Sequence, residues 1–325
     1  MLNNCLLKSD KIAWEDIFSS LLDKFSLPYG AKYTAKELVK REKEIIELEN
    51  ILSGAAWTLW NSFEKSVPRT TQMLISFWQE QQAGKAILIL DGLSIREMPL
   101  LLQESSNRGF KIKQVKLTGS ELPSETTIFA KGLGFSQRSA LANNQTGPNH
   151  LFPNAKTDCV NLPWLDCLPL INAEPNWILW HTWPDELIHD LSGPGAGIHE
   201  LAVKVEQNIR SEDFWKLVER LTTGRRLIIT SDHGYASTGE FTNVDNKEQS
   251  EYLKSLFKNQ RYAKSEAAES NWVPPTDICI QSVHGSYRYV LGRRKWKSSG
   301  GYPTLTHGGL SLMETIVPYI EVQRN

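Results

Sequence analysis

Three apolar segments of the sequence are each followed by polar side chains of the kind that bind divalent metal ions. In chain order these residues are Asp91, then His181, Asp185 and His189, and then Asp232 and His233. Ligands of open parallel sheets collect beyond the carboxyl ends of the strands, so we expect these side chains to lie together at one edge. Carboxylate and imidazole ligands without thiolates favour Zn²⁺ or Mn²⁺ over a cysteine-based structural zinc site or an all-oxygen calcium site.

Taken alone, each of these signals has an ordinary structural explanation. Asp185 and His189 are four residues apart, which places them on one face of a helix and lets both reach one ion, although such pairs are more often plain surface pairs. The tripeptide Asp232-His233-Gly234 also suits a turn. Their convergence on one edge of the sheet is what favours a metal site.

A further histidine, His307, opens the run His307-Gly308-Gly309-Leu310-Ser311-Leu312-Met313-Glu314. Adjacent glycines permit close backbone approach, and they also occur in plain turns. Ser311 and Glu314 have the spacing of a capping box, in which a hydroxyl and a carboxylate satisfy the free amides of a helix start. His307 is therefore expected just before a helix.

The elements that must position these residues follow a strand and helix alternation from Lys85 onward. Strands are predicted over 86–90, 110–117, 177–180 and 227–230, with helices that end at Asn107 and near Thr223. Uninterrupted apolar strands alternating with amphipathic helices predict an α/β fold, a parallel sheet with helices on both faces. Residues 1–82 are predicted to form a helical N-terminal region with a capping box at Thr34 and Glu37, and residues 83–325 the α/β domain, with a solvated insertion at about 240–272.

Composition excludes several classes of protein. The chain has 325 residues with 36 Lys plus Arg and 37 Asp plus Glu, a net charge of −1, which argues against a polybasic or acidic binding chain and against a broad duplex-binding face. A chain of this length buries about three quarters of its surface, so a bound metal is expected to be functional rather than structural.

The four cysteines include no C-x-x-C pair, so we expect reduced thiols. With neither a signal peptide nor a membrane span, the protein is predicted to be cytoplasmic.

Together these motifs resemble the PglZ domain of the alkaline phosphatase superfamily. The resemblance covers residues 85 to 321 in the family's order, and the segments that carry it are Asp91-Gly92, Pro123-Ser124-Glu125-Thr126, Asp185 with His189, Asp232-His233-Gly234 and the run from His307 to Glu314. It implies an alkaline-phosphatase-like fold and two divalent metal ions, Zn²⁺ on family grounds with Mn²⁺ as the alternative. One ion would be held by Asp185, His189 and His307, and the other by Asp91, Asp232, His233 and the nucleophile.

Two hydroxyl residues compete for the role of nucleophile. Ser94 is close to Asp91 in sequence, but Ser94 and Glu97 have capping-box spacing, which gives that hydroxyl a structural task. Thr126 precedes a predicted helix start and matches the threonine of the family's Pro-Ser-x-Thr segment, with Thr127 as the alternative register. The structural alternative for Thr126 is a helix N-cap.

The resulting hypothesis is a two-metal phosphodiesterase that acts on a nucleotide or short oligonucleotide in anti-phage defence or signalling, together with partner proteins. Two alternatives stay open: a non-catalytic, metal-stabilised assembly module, and a monoesterase or phosphomutase of the same superfamily. The segment Arg293-Arg294-Lys295-Trp296-Lys297 is typical of a nucleotide contact, but a solvated loop is the favoured interpretation. The remaining candidates are expected to be structural or exposed; they are His150, His199, His284 and Arg288.

Overall fold

The computed structural model describes residues 9–29, 35–81, 84–144, 150–193, 197–237, 242–265, 272–297 and 304–324. Thr34, of the predicted capping box, and Cys5 lie outside the described residues. The helices are α1 (Asp10–Phe25), α2 (Ala35–Gly54), α3 (Phe63–Ser66), α4 (Thr70–Gln79), α5 (Met98–Asn107), α6 (Thr126–Gly132), α7 (Trp164–Cys167), α8 (Asp185–Asp190), α9 (Gly197–Arg210), α10 (Glu212–Thr222), α11 (Lys247–Phe257) and α12 (Leu312–Thr315). The strands are β1 (Lys85–Leu90), β2 (Phe110–Gly119), β3 (Lys156–Val160), β4 (Asn176–His181), β5 (Arg226–Thr230), β6 (Ala236–Ser237), β7 (Thr242–Asn243), β8 (Tyr262–Lys264), β9 (Asp277–Ser282), β10 (Gly285–Val290), β11 (Arg294–Lys295), β12 (Leu305–Thr306) and β13 (Ile316–Arg324).

A six-stranded sheet with the order β2-β13-β5-β1-β4-β3 carries the fold. Strands β3, β4, β1 and β5 are parallel neighbours, whereas β13 is antiparallel to both β5 and β2. The predicted α/β class with a parallel-rich sheet is confirmed. The antiparallel strand β13, inserted between β2 and β5, was not predicted.

Helices cover both faces of this sheet, as the alternation of side chains along β1 shows. Ala86, Leu88 and Leu90 belong to one hydrophobic cluster, which also contains residues of α5, α9 and α10. Ile87 and Ile89 belong to a second cluster, which contains residues of α4 and α6. Successive side chains of a strand point to opposite faces, so the five apolar residues of β1, 86–90, pack alternately into two cores.

The N-terminal helices share the first of these clusters with the sheet. Trp14 of α1 and Leu38 and Ile45 of α2 belong to the same cluster as Leu88. Trp14 also contacts Trp60 edge to face, with the ring centroids 5.1 Å apart. The predicted helical character of this region is confirmed, and the domain boundary at residues 82/83 stays a prediction.

A smaller β unit follows the main sheet in the chain. Strands β8, β10 and β9 form a three-stranded antiparallel sheet, and α11 buries Leu253 and Phe257 against Val290 and Trp296. The predicted insertion therefore contributes a helix and a strand, α11 and β8, to this unit. None of the helices in the described ranges combines the length and apolar character that a membrane span requires. The described cysteines, Cys159, Cys167 and Cys279, are free thiols.

Candidate metal centre

The residues that follow β1, β4 and β5 meet because β1 pairs in parallel with both neighbours. The backbone of Asp91 ties two of these strand ends together: its N–H donates to the carbonyl of His181 at 3.0 Å, and its own carbonyl accepts from the N–H of Asp185 at 2.9 Å. Gly92 follows with φ of +75°, and a Cβ there would lie 3.2 Å from the Asp185 Cβ. The Asp-Gly pair thus allows the first strand end to approach the start of α8 closely.

Asp91, Asp232 and His233 form a fully buried group, here called the inner trio. Each residue offers one ligand atom, and these atoms lie within 4.8 Å of one another. The Nε2 of His233 is 3.5 Å from both Asp91 Oδ1 and Asp232 Oδ2. Its Nδ1 lies 3.0 Å from the carbonyl of Gly234, which can only accept a hydrogen bond. The proton of the neutral imidazole is therefore on Nδ1, and Nε2 is free to bind an ion.

Asp185, His189 and His307 form a second group, the outer trio, whose ligand atoms also lie within 4.8 Å of one another. His189 Nε2 is 3.2 Å from Asp185 Oδ2, and His307 Nε2 is 3.8 Å from Asp185 Oδ1. Asp185 begins α8 and His189 lies one turn later, as the four-residue spacing predicts. The His189 side chain is 63% exposed, so this trio lies at the open side of the site.

The two trios are in direct contact. The imidazoles of His233 and His307 stack with their centroids 4.0 Å apart and an angle of 16° between their planes. His307 also places its Nδ1 3.3 Å from the carbonyl of Ser124, so that its Nε2 faces Asp185. The arrangement is therefore one continuous centre with two ligand sets.

The residues present fit a pair of divalent cations. Asp232 Oδ2 in the inner trio and Asp185 Oδ1 in the outer trio are buried carboxylate oxygens without a hydrogen-bond partner among the described residues. A buried, unsatisfied carboxylate oxygen is costly, and a bound cation would remove that cost. Each trio contributes one such oxygen and one imidazole, that of His233 or His307, whose Nδ1 faces a backbone carbonyl and whose Nε2 is thereby available to an ion.

The charges of the inner trio also favour a bound cation. Burial raises the pKa of Asp91 well above its usual range, and the carboxylates of Asp232 and Asp185 raise it further. Burial lowers the pKa of His233, but attraction to Asp232, Asp185 and Asp91 outweighs burial and raises that pKa to about 9. The crowded carboxylates therefore favour positive charge at this point of the site.

Thr126 lies beside the inner trio at the first residue of α6. Its Oγ1 is 3.3 Å from Asp91 Oδ1 and 3.5 Å from His233 Nε2. The neighbouring Thr127 is exposed. Ser94 is occupied elsewhere: its N–H donates to Glu97 at 2.9 Å, and its hydroxyl accepts from the guanidinium of Arg96 at 3.1 Å. The structure thus brings together the seven residues singled out from the sequence, which are Asp91, Thr126, Asp185, His189, Asp232, His233 and His307.

Two further residues of the site were missed by the sequence analysis. The guanidinium of Arg138 donates to Asp91 Oδ2, and the indole of Trp180 donates to the same oxygen at 3.2 Å. Trp180 of β4 pairs in register with Ile89, near the end of β1. Aligning the two predicted strands as parallel neighbours would have placed Trp180 close to Asp91. Arg138 lies in a 3₁₀ segment without a motif, so no sequence signal identified it.

Other residues named from the sequence lie elsewhere. His181 is buried and is not in either trio; its Nε2 lies 2.8 Å from the carbonyl of Leu162. The solvated-loop interpretation of residues 293–297 is wrong for two of its members, because Arg293 and Trp296 are buried. Arg293 pairs with Glu42 and Glu49 of α2, and the Trp296 indole donates to the carbonyl of Lys258 at 2.8 Å.

The loop that carries His307 is held by a buried ionic network. The Glu314 carboxylate accepts from the Gly309 N–H at 2.9 Å, the Ser311 hydroxyl at 2.6 Å and the Arg261 guanidinium at 2.6 Å. The predicted capping-box pair, Ser311 and Glu314, is thus in contact, but the hydroxyl donates to the carboxylate and does not cap the helix. These contacts fix the backbone directly after His307.

The fold and the site together form a parallel-rich α/β sheet with two acidic and imidazole trios beyond its central strands. Residues 198–322 match the family model described as the BREX system PglZ alkaline phosphatase-like domain, which confirms the resemblance inferred from the sequence. The matched segment includes Asp232, His233 and His307.

Solved structures of similar fold are distant in sequence. Murine ectonucleotide pyrophosphatase/phosphodiesterase 5, in an inactive form in complex with AMP, is 11% identical with a TM-score of 0.42, over 75% of this chain and 88% of that chain. Its human counterpart is 12% identical with a TM-score of 0.41, over 74% and 88%. Phosphonoacetate hydrolase from Sinorhizobium meliloti 1021, in complex with phosphonoformate, is 12% identical with a TM-score of 0.47, over 74% and 90%. Among curated proteins, no sequence matches this chain.

Proposed function

We propose that this protein is a metal-dependent phosphodiesterase in which Thr126 is the nucleophile and the two trios hold two divalent cations. The observation that carries the proposal is the position of the Thr126 hydroxyl, 3.3 Å from Asp91 Oδ1 and directly beside the joined trios. The buried, unsatisfied oxygens of Asp185 and Asp232 support the cations. Zn²⁺ is the preferred ion and Mn²⁺ the alternative, because the donors are carboxylates and imidazoles.

Bound cations would supply positive charge that offsets the phosphoryl oxygens and favours the ionised form of the threonine hydroxyl. Thr126 Oγ1 attacks phosphorus, the bond from phosphorus to the leaving alcohol oxygen breaks, and the alcohol departs with the proton that the threonine loses. Water then attacks the phosphothreonine, which breaks the bond between phosphorus and Oγ1 and restores the hydroxyl. Asp91 and His233 orient Oγ1, since it lies 3.3 Å from Asp91 Oδ1 and 3.5 Å from His233 Nε2.

Arg138 shares a partner with this nucleophile, because Arg138 and Thr126 both donate to the Asp91 carboxylate. Its side chain is 30% exposed, so the guanidinium can turn from Asp91 toward an incoming anion. We assign it to a non-bridging phosphoryl oxygen, for which a guanidinium is a matched partner.

The proposed substrate is a nucleotide or short oligonucleotide phosphodiester. The matched family model belongs to BREX systems, and this supports a role in phage defence alongside partner proteins. A net charge of −1 does not suit a broad duplex-binding surface, so a short strand, a strand end or a cyclic nucleotide is the better candidate. His189 is the exposed ligand of the site, so we expect such a substrate to enter from its side.

Turnover of bis-p-nitrophenyl phosphate by the full chain loaded with Zn²⁺ or Mn²⁺ tests the activity. Thr126→Ala should lower kcat by at least about a thousandfold, as expected when a nucleophile is removed. Thr127→Ala is the matched control, because Thr127 is adjacent but exposed, and it should keep turnover within about twofold. Unchanged turnover in Thr126→Ala would remove the threonine from its role.

The same experiment separates the alternatives. Faster cleavage of p-nitrophenyl phosphate than of the diester would indicate a monoesterase. A metal-dependent rise in melting temperature without cleavage of either ester would instead indicate an assembly module that uses its ions for stability.

A further inference from the structure

A second concave surface, the acidic cleft, adjoins the helix that carries two of the candidate metal ligands. It has a volume of about 550 Å³ and is formed by α7, α8 and parts of α9 and α10. Glu186 and Asp190 of α8 line the cleft, whereas Asp185 and His189 of the same helix belong to the outer trio. The cleft and the metal centre therefore share one short helix.

The charge of the cleft is one-sided. Four carboxylates line it, those of Asp166, Glu186, Asp190 and Asp213, and the described lining residues include no Lys or Arg. Asp213 meets Lys216 at 3.2 Å on the surface. The other three carboxylates are on exposed residues and have no ion pair with the described part of the chain. The cleft thus attracts cations and repels the phosphates of nucleic acid.

Apolar and aromatic groups accompany these carboxylates. Leu162 and Leu165 are 40% and 43% exposed and line the cleft. Trp164 and Trp183 form part of its wall, with their ring centroids 5.4 Å apart. Aromatic faces attract the cationic ends of Lys and Arg, and exposed leucines favour aliphatic side chains.

An unsatisfied donor provides an independent sign of a missing partner. Trp183 is 8% exposed, and its buried indole Nε1 has no hydrogen-bond partner among the described residues. An indole N–H can only donate, so its natural partner is an oxygen acceptor such as a peptide carbonyl. A small inorganic cation would not supply that acceptor.

We propose that the acidic cleft binds a segment of a partner protein in which Lys or Arg side chains alternate with aliphatic ones. The cations meet Asp166, Glu186 and Asp190, and the aliphatic side chains cover Leu162 and Leu165. Trp183 Nε1 is buried, so a small turn of the indole toward the cleft would let it donate a hydrogen bond to a backbone carbonyl of the segment. The charge complementarity selects a basic peptide over nucleic acid, and the proposal does not depend on catalysis by Thr126.

Fluorescence anisotropy with the full chain and a labelled peptide of alternating Lys and Leu tests this site. The triple variant Asp166→Asn, Glu186→Gln and Asp190→Asn should bind the peptide at least tenfold more weakly than the unmodified chain. A charge-matched control replaces three exposed carboxylates away from the cleft, Glu15→Gln, Glu248→Gln and Glu251→Gln, and should bind within twofold of the unmodified chain.

Three further measurements make the outcome decisive. Leu162→Ser with Leu165→Ser should also weaken peptide binding severalfold, because the site requires apolar contact as well as charge. Equal losses in the cleft variant and the control would show general charge attraction and overturn the proposal, as would a failure of the unmodified chain to bind the peptide. A dimer in sedimentation velocity that the leucine variants dissociate would assign the cleft to a second copy of this chain instead. Tighter binding of a labelled oligonucleotide than of the peptide would likewise overturn the proposal if the triple cleft variant altered the binding of that oligonucleotide, which separates the cleft from the metal centre.

Discussion

The carboxylate of Glu49 accepts a hydrogen bond of 2.9 Å from the backbone N–H of Leu312, which joins α2 to the segment that follows His307. Glu49 also pairs with Arg293 at 2.5 Å, and all of these groups are buried. The helical N-terminal region thus contacts the backbone that positions a candidate metal ligand. We therefore expect changes in α2 to affect that site.

Glu49→Ala should destabilise the fold by about 2–4 kcal/mol, because it leaves the backbone N–H of Leu312 without a buried partner and removes one of the two buried carboxylates that pair with Arg293. It should also weaken metal binding through the His307 segment. Thermal unfolding and metal titration measure the two effects. Glu47→Ala is the control on the same helix, since Glu47 is exposed; equal stabilities of the two variants would contradict this prediction.

Asp185→Asn and Asp232→Asn should each reduce bound metal from two equivalents per chain toward one. Each substitution keeps the side-chain shape but removes the charge of a carboxylate that has one unsatisfied buried oxygen. Elemental analysis of the purified variants measures the stoichiometry. Asp190→Asn, on the same helix as Asp185 but outside both trios, should retain both ions. Full metal content in Asp185→Asn and Asp232→Asn would refute the ligand assignment.

The strands that hold the site could be predicted closely from the sequence. The apolar runs gave β1, β4 and β5 to within one residue at each end, because a strand buried on both faces leaves an uninterrupted hydrophobic signal. Strand β13 was missed. Its Pro318 argues against a central strand, yet the structure places it opposite Leu117 of β2, and its carbonyl accepts from the Thr230 hydroxyl at 2.7 Å.

Some site residues could be identified from the local sequence, whereas others are placed in the site only by long-range contacts. Those that directly follow predicted strands, such as Asp91 and Asp232, could be named because topology alone brings strand ends together. Arg138 could not, since only the fold brings its 3₁₀ segment to Asp91. The prediction for Arg293 was wrong for a related reason. The residues around it in the sequence suggest a solvated loop, but its partners Glu42 and Glu49 lie some 250 residues earlier in the chain.

Arg138→Ala should lower kcat/KM for a phosphodiester by about 10- to 100-fold, the loss expected for one hydrogen bond to a charged group. Metal content should stay unchanged, because Arg138 belongs to neither trio. Arg138→Lys should restore part of the activity through its charge but not the paired geometry of the guanidinium. Steady-state kinetics with elemental analysis tests this, and unaltered kinetics in Arg138→Ala would exclude Arg138 from substrate binding.

Glu97 should make the stability of the protein depend on pH near neutrality. Burial raises the pKa of this carboxyl from 4.5 to about 7, although the hydroxyl of Tyr235 donates to it at 2.7 Å. Between these two pH values the folded protein holds a proton that the unfolded chain releases, so stability falls as pH rises through this window. Each unit of pKa shift corresponds to about 1.4 kcal/mol, so the loss should reach about 3–4 kcal/mol above pH 7.

Glu97→Gln removes this titration while keeping a hydrogen-bonding side chain of the same size. Denaturant unfolding of both proteins between pH 5 and pH 8 should therefore give curves that converge at acidic pH and separate above neutrality, with the glutamine variant the more stable of the two. Other titrating groups are common to both proteins and cancel in the difference. Because of this cancellation, a difference that does not vary with pH would mean that Glu97 is already ionised in the folded protein, and that Arg96 beside it stabilises the charge.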